Sequence, residues 1–174
     1  IVRYGNVVGS RGSVVPLYSH LIEKNSKTLP VTHEDMTRFW ITIEEATKFV
    51  LNCFNLMVGG EIFIPKMSSV KIIDLAKIMS KGQKIKIIGI RAGEKIHETL
   101  CPVNFSNELL EFKNYYLIKP LIKMSSSKLN YFKNSKGEKG SIVKKNFQYS
   151  SDSNKKFLNK KEILNINKKI NHSQ

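Results

Sequence analysis

The stretch IVRYGNVVGSRGSVVP, residues 1–16, constrains the fold more than any other part of the sequence. Its apolar start, Ile1 to about Tyr4, is typical of a short strand, and an arginine, an asparagine and three glycines lie around the end of that strand. The glycines indicate a loop, and Pro16 suits the first turn of a helix over residues 14–24. Strand, polar loop and helix in this order are typical of an α/β protein.

Outward from this stretch, strand-like and helix-like apolar patterns alternate along the chain. The predicted elements after the first helix are an irregular connection over 28–42 with an extended piece at Phe39–Ile41, a helix over 43–57 that follows the capping box Thr42/Glu45, a strand over 61–65, a helix capped by Ser68 or Ser69, a strand over 84–90, a short helix within 91–100 and an edge strand over 115–120. This order predicts an α/β fold with too few strands to close a doubly wound sheet.

The composition narrows the class of protein. With 174 residues, 41% of them hydrophobic, the chain is long enough for one domain with a real core. No apolar stretch approaches the roughly 20 residues of a membrane span, and the first residues lack a signal-peptide pattern. Cys53 and Cys101 form neither a disulfide framework nor a metal motif. We therefore predict a cytoplasmic protein without a membrane or metal partner, in which Cys53 is a buried thiol.

The basic residues are concentrated toward the carboxyl end. The net charge is +15, and residues 124–174 are rich in lysine, asparagine and serine. We interpret residues 1–123 as the organised part and residues 124–174 as a mostly irregular extension with a short helix near residues 160–169. A basic nucleic-acid-binding module is an alternative, because aromatic residues between the lysines could stack on bases: Tyr131, Phe132, Phe147 and Tyr149. The lysines follow no helical face and no nucleic-acid-binding motif is present, so we predict no nucleic-acid partner.

Arginine is rare in this chain, and its positions are informative. Of 29 basic side chains only four are arginines, each near small or polar residues in a loop or at a strand end: Arg3, Arg11, Arg38 and Arg91. A guanidinium group binds a diphosphate through paired hydrogen bonds, which an ammonium group cannot do. Glu94 can accept hydrogen bonds from a ribose diol, and Asn6 can contact a polar ligand. The structural alternatives are surface ion pairs for the arginines, a helix N-terminal carboxylate for Glu94 and a turn cap for Asn6. His97 is predicted to lie on a helix surface.

Several motifs together resemble one family: RYGNVVGSRGSVVP (3–16), THEDMTRFWITIEEA (32–46), GGEIFIPK (59–66), KIIGIRAGEKIHETL (86–100) and, more loosely, YSSDSNKKFL (149–158). They resemble the carboxy-terminal part of extended short-chain dehydrogenase/reductase enzymes that act on nucleotide sugars, and among these the inverting UDP-N-acetylglucosamine 4,6-dehydratases of pseudaminic acid biosynthesis. The resemblance implies the substrate-binding portion of an NAD(P)-binding Rossmann-type enzyme, with an incomplete parallel sheet.

The resemblance also implies roles for individual residues. Arg38 and Arg91 would meet the diphosphate of UDP-N-acetylglucosamine, Glu94 the ribose, and Thr32 and Met36 the uracil. The other residues expected at the substrate are Asn6, Ser10, Arg11, Gly12, Ser13, Val14, Ala92 and Gly93, and those expected at the cofactor are Arg3 and Tyr4. The cofactor NADP would be bound mainly by residues expected before Ile1, together with the catalytic tyrosine and lysine. The resemblance therefore assigns no catalytic residue to this chain, and it implies a homo-oligomer for the full-length enzyme.

The family reaction oxidises C4 of the sugar, eliminates water across C5–C6 and returns hydride to C6, with inversion at C5. Two alternatives within the superfamily stay open, a capsule-type UDP-sugar 4,6-dehydratase/5-epimerase and a UDP-sugar 4-epimerase. The segments RFW (38–40) and CPVNFSNELLEF (101–112) favour the inverting branch. The chain by itself is expected to be inactive and poorly stable.

Overall fold

A computed structural model describes residues 1–122 and 129–171 of the chain. In chain order its elements are β1 (Asn6–Val7), α1 (Val14–Glu23), β2 (Thr28–Val31), β3 (Thr37–Ile41), α2 (Ile43–Leu56), β4 (Ile62–Pro65), β5 (Ser68–Lys71), α3 (Ile72–Met79), β6 (Lys84–Ile87), β7 (Thr99–Cys101), a 3₁₀ helix (Val103–Glu108), β8 (Leu109–Glu111), β9 (Tyr115–Ile118), β10 (Ser141–Ile142), β11 (Tyr149–Ser150) and α4 (Lys160–Asn171). Helices and strands alternate over the first ninety residues, which confirms the predicted α/β class.

The chain divides into two compact units, each built from separate segments. The cleft unit contains Gly5–Ile43, Met67–Glu98 and the described residues from Ser151 onward. The sheet unit contains Ile1–Tyr4, Glu44–Lys66 and the described residues between Thr99 and Ser150. The predicted domain boundary at residues 123 and 124 lies outside the described residues, and the division into 1–123 and 124–174 stays a prediction.

The cleft unit contains two small sheets covered by three helices. Strand β3 lies between β1, which runs parallel to it, and β5, which runs antiparallel. Strands β2 and β6 form a parallel pair. Helix α3 buries Ile72, Leu75 and Ala76 in a core shared with α1 and α4. The Tyr18 hydroxyl of α1 donates to the Pro30 carbonyl oxygen at 2.8 Å, and burial raises the pKa of Tyr18 to about 12.

The sheet unit packs α2 against an antiparallel sheet of order β10-β8-β9-β4. Phe112 and Tyr115 stack at 4.6 Å between ring centroids in its core, beside the buried Cys53. The buried carboxylate of Glu61 accepts hydrogen bonds from the backbone N–H groups of Val58 and Gly59, both at 2.6 Å, and thereby satisfies the turn after α2. The prediction that Cys53 is a buried free thiol is confirmed.

Local signals placed several elements correctly. Helix α2 begins directly after Thr42, where the capping box predicts its start, and α4 covers the helix predicted near residues 160–169. Strands β4 and β9 lie within the strands predicted over 61–65 and 115–120, and β6 forms the first part of the strand predicted over 84–90.

Other elements differ from the prediction because pairing overrides local signals. The connection expected to be irregular over 28–42 contains strand β2, so that part of the prediction is wrong, whereas the extended piece expected at Phe39–Ile41 is confirmed as part of β3. Helix α3 starts at Ile72 after Lys71 rather than after Ser68 or Ser69, because Ser68–Lys71 pairs with β3. No helix forms within 91–100, where Thr99–Cys101 is strand β7. The first strand is displaced, since Ile1–Tyr4 carries only the isolated bridge Val2–Phe63 and β1 begins at Asn6. The extension expected to be mostly irregular also contributes β10 and β11.

The described helices are short, and in this part of the chain none has both the length and the hydrophobicity needed to cross a bilayer.

Candidate functional site

A cleft of about 230 Å³ lies within the cleft unit, where the ends of β1, β2 and β3 meet the loop before α1. Its lining includes nine of the residues predicted at the substrate: Asn6, Gly12, Ser13, Val14, Thr32, Met36, Arg38, Arg91 and Glu94. Four further predicted residues are not among those that line it: Ser10, Arg11, Ala92 and Gly93. The structure therefore brings the two arginines, the asparagine and the glutamate into one concave site.

One wall of the cleft is the loop between β1 and α1. Gly9 and Gly12 have φ of 78° and 75°, a left-handed conformation that glycine adopts without a steric penalty. Helix α1 follows Ser13, which has extended φ and ψ and makes no side-chain capping bond. Among the described residues, the buried Ser13 Oγ has no hydrogen-bond partner. The first N–H groups of an α-helix have no acceptor within the helix, so the start of α1 beside the cleft suits an acceptor such as a phosphate oxygen.

The Arg38 side chain is fixed by backbone carbonyls. Its Nη1 donates to the carbonyl oxygens of Thr37 at 2.8 Å and Ile96 at 2.9 Å, and 14% of the side chain is exposed. Its Nη2 lies 3.9 Å from Glu94 Oε1 and its Nε 4.0 Å from Glu98 Oε1. These distances are longer than hydrogen bonds, so the Nη2 and Nε groups can still donate to an anionic ligand. The two carboxylates offset part of the positive charge of the Arg38 guanidinium.

Glu94 belongs to a tight turn rather than to the helix that was one interpretation of its position. Its backbone N–H donates to the Arg91 carbonyl oxygen at 3.0 Å, and the Arg91 N–H donates to Glu94 Oε2 at 3.2 Å. Thr32 Oγ1 lies 3.5 Å from Glu94 Oε1 and 3.2 Å from Met36 Sδ. The turn places Arg91 and Glu94 together at the cleft, with the Thr32 hydroxyl beside them.

Glu98 is a site residue that the sequence reasoning missed. With its amide oriented to satisfy both groups, Asn6 donates to the two Glu98 carboxylate oxygens at 2.8 and 3.1 Å. Burial raises the pKa of Glu98, while Arg38 and the Phe39 N–H act in the opposite direction. Glu98 orients the Asn6 amide and also faces Arg38, so it connects two residues that line the cleft. Its position in the segment KIIGIRAGEKIHETL (86–100), which also contains Arg91 and Glu94, was the available signal.

His97 is not on a helix surface, so that prediction is wrong. It lies in the irregular segment before β7, and its Nδ1 is 2.8 Å from Thr37 Oγ1. Thr37 Oγ1 is also 2.7 Å from Ser151 Oγ. Thr37 precedes Arg38 on strand β3, so this polar cluster lies next to Arg38.

The two residues predicted at the cofactor belong to the sheet unit. Arg3 Nη1 donates to the Leu100 carbonyl oxygen at 2.8 Å, and Tyr4 is partly exposed. One Tyr-x-x-x-Lys spacing, Tyr115 and Lys119, escaped the sequence reasoning. It lies on and directly after strand β9, where Tyr115 is buried against Phe112 and Lys119 pairs with Glu108 at 3.1 Å. This pair is therefore structural and does not form a hydride-transfer site.

Within the described residues, no group of three or more His, Cys, Asp or Glu side chains is arranged to hold a metal ion.

Comparisons with known proteins identify the family of the chain. A family described as polysaccharide biosynthesis protein matches residues 1–120. UDP-N-acetylglucosamine 4,6-dehydratase (inverting) from Campylobacter jejuni is 51% identical over 174 residues, covering 100% of this chain and 51% of that protein. The capsular polysaccharide biosynthesis protein CapD from Staphylococcus aureus is 48% identical over 111 residues, covering 59% of this chain and 18% of that protein.

The solved structure of Pen from Bacillus thuringiensis superposes with a TM-score of 0.76 at 31% identity, covering 97% of this chain and 50% of that chain. This likeness confirms the predicted fold class, the carboxy-terminal portion of a Rossmann-type extended short-chain dehydrogenase/reductase. The chain spans about half the length of the curated dehydratase relative that it matches.

Proposed function

This chain belongs to the polysaccharide biosynthesis protein family, and on that premise we propose that its cleft binds the UDP group of UDP-N-acetylglucosamine. The protein would act as the substrate-binding portion of an inverting 4,6-dehydratase. The observation that carries this proposal is the convergence of Arg38, Arg91, Asn6 and Glu94 on one cleft from separate segments of the chain. The relative from C. jejuni, which matches the whole chain, supports the choice of substrate.

The chemistry of the cleft matches the parts of a nucleoside diphosphate. The diphosphate would be bound by the Nη2 and Nε groups of Arg38, by the Arg91 guanidinium and by the start of α1. Glu94 would accept hydrogen bonds from the ribose diol, and Thr32 and Met36 would lie against the uracil. The sugar would lie toward Asn6 and the loop before α1. Because Glu94 and Glu98 offset part of the arginine charge, the cleft favours an anion that also carries hydroxyl donors.

The residues of this chain do not fit a dinucleotide cofactor on their own. The sequence has no glycine-rich G-x-G-x-x-G turn after a strand, and one guanidinium nitrogen of Arg3 already donates to a carbonyl. NADP dependence and a catalytic tyrosine and lysine therefore belong to the proposal for the full-length enzyme, together with a role in pseudaminic acid synthesis. No catalytic step is assigned to residues of this chain, which is expected to bind the substrate without converting it.

Calorimetric titration of the purified chain tests the proposal directly. We expect saturable one-to-one binding of UDP and UDP-N-acetylglucosamine, with ADP bound more weakly because the uracil contacts are lost. Equal affinity for UDP, ADP and inorganic pyrophosphate would indicate a general anion site and would contradict the proposal. The appearance of a 4-keto sugar in the same mixture would contradict the expectation that the chain alone is inactive.

A second candidate is the capsule-type UDP-sugar 4,6-dehydratase/5-epimerase, since a relative named capsular polysaccharide biosynthesis protein CapD matches part of the chain. Product analysis of the full-length enzyme tests the leading proposal. It predicts a 4-keto-6-deoxy sugar with inverted configuration at C5, and retention at C5 would contradict it.

A further inference from the structure

Ser151 is completely buried in the cleft unit, although it follows a region rich in lysine and serine. Its backbone N–H donates to the Glu98 carbonyl oxygen at 2.8 Å, and its Oγ accepts from the Glu98 N–H at 2.9 Å. Its Oγ also lies 2.7 Å from Thr37 Oγ1 and 3.2 Å from the Thr37 carbonyl oxygen. A single side chain thus joins strand β3 to the segment that ends at Glu98.

The junction that Ser151 makes between strand β3 and the segment ending at Glu98 determines where the Arg38 side chain lies. The carbonyl oxygens that accept from Arg38 Nη1 belong to Thr37 and Ile96, one on each side of the junction. The Thr37 N–H donates to the Ile96 carbonyl oxygen at 3.0 Å, so the two segments stay in register there. Glu98, which is bonded to Ser151 in both directions, presents its carboxylate to Asn6 and Arg38. Ser151 therefore influences two residues of the cleft without lining it.

We infer that Ser151 is a positioning residue that holds the Arg38 guanidinium in place for a diphosphate, acting through Thr37 and Glu98. The inference rests on the proposed UDP-binding function. Ser151 and Thr37 each have one hydroxyl proton, and a chain from Ser151 to Thr37 to an unprotonated His97 Nδ1 uses both of them. Alanine at position 151 would leave the Glu98 N–H and the Thr37 hydroxyl with one partner fewer in a buried place. The two segments that hold Arg38 would then separate more easily.

The test compares Ser151→Ala with Ser150→Ala in titrations with UDP and with uridine, which lacks the diphosphate. Ser150 is a matched control, because it is also a buried serine but belongs to the sheet unit and accepts from Thr99 Oγ1 at 3.3 Å. We expect Ser151→Ala to weaken UDP binding about tenfold, the effect of losing one buried hydrogen-bond partner, and to leave uridine binding unchanged. Ser150→Ala is expected to change neither affinity. General loss of structure would weaken both ligands alike and would contradict a positioning role.

If Ser151→Ala does not fold, a second pair of variants tests the same hydrogen-bonded junction from the side of Thr37. Thr37→Val removes the hydroxyl while keeping the shape, and Thr37→Ser keeps the hydroxyl. Thr37→Val is expected to bind UDP more weakly than the parent chain, and Thr37→Ser is expected to bind UDP as the parent chain does. The ligand-free readout is amide hydrogen exchange, which should become faster at Thr37 and Glu98 in Ser151→Ala but not in the sheet unit.

The outcomes separate this inference from the proposed function. If the parent chain binds UDP and both Ser151→Ala and Thr37→Val bind it equally well, the inference is overturned and the proposed function stands. If the parent chain does not bind UDP, the proposed function fails and the inference falls with it. Unchanged hydrogen exchange at Thr37 and Glu98 also overturns the inference.

Discussion

Replacing Arg38 by lysine keeps the positive charge of the cleft but removes the planar guanidinium group. In the parent, one nitrogen of Arg38 donates to the Thr37 and Ile96 carbonyl oxygens at 2.8 and 2.9 Å, and the other two nitrogens lie 3.9 and 4.0 Å from the carboxylates of Glu94 and Glu98. A lysine ammonium carries its three donors on one nitrogen, so it cannot bind the two carbonyls and also present two parallel N–H groups to a diphosphate. Arg38→Lys therefore tests whether the shape of this side chain, rather than its charge, determines binding.

The expected loss of affinity follows from the bonds that lysine cannot form. A hydrogen bond to a charged group contributes about 1.5–3 kcal/mol, and lysine would give up at least one such bond to the ligand or to the carbonyls. At 1.4 kcal/mol for each factor of ten, UDP should bind about 10- to 150-fold more weakly. Uridine should bind with unchanged affinity, because it has no diphosphate.

Isothermal titration calorimetry with UDP and uridine measures both effects. Lys119→Arg is the matched control, since it exchanges one cation for another in the sheet unit, where Lys119 pairs with Glu108. It should leave UDP binding unchanged. The reasoning is refuted if Arg38→Lys binds UDP as tightly as the parent chain, or if it loses uridine and UDP affinity in equal proportion.

Three further predictions follow from burial and packing. Burial raises the pKa of both the Cys53 and Cys101 thiols to about 11. At pH 8 neither thiol should therefore react quickly with a thiol reagent until the chain is denatured. Rapid labelling of the folded chain would contradict this expectation. A Cβ at Gly5 would lie 2.5 Å from Phe39 Cβ and 2.8 Å from the Phe39 carbonyl oxygen, so Gly5→Ala should lower the free energy of unfolding by about 1–3 kcal/mol in urea denaturation, and an unchanged midpoint would refute the packing. Burial raises the pKa of the Glu98 carboxyl group above its ordinary value of 4.5, so the folded chain binds the carboxyl proton more tightly than the unfolded chain. The contribution of Glu98 to stability therefore falls as the pH rises from 4.5 through the raised pKa. Across that window the melting temperature of Glu98→Gln should decline less than that of the parent, and parallel declines would contradict the assignment.

The fold was predictable wherever the signal is local. Helix α2 has a capping box at its start and a helical apolar period along its length, so its position could be predicted from the sequence. Strand β2 was missed because Pro30 and the polar residues around it are typical of a loop, whereas the extended piece expected at Phe39–Ile41 lies within β3. Strand β2 exists because β6, more than fifty residues later, pairs with it. Ser68–Lys71 is a strand for the same reason, since its partner is β3.

The residues of the candidate site could likewise be predicted only in part from the sequence. The arginines and Glu94 could be chosen because their chemistry is unusual in a chain whose other basic residues are lysines. Ser151 could not, because its contacts with Glu98 and Thr37 span 53 and 114 residues of sequence and serine is common in that region. His97 was misplaced because the sequence from 91 to 100 resembles a helix, while β7 pairs its end with β11.

The most direct test of the central claim is a crystal structure of the chain with UDP bound. The account predicts diphosphate oxygens within hydrogen-bond distance of both Arg38 and Arg91, and ribose hydroxyls at Glu94. A UDP molecule bound elsewhere, or one in this cleft whose diphosphate touches neither guanidinium, would contradict it.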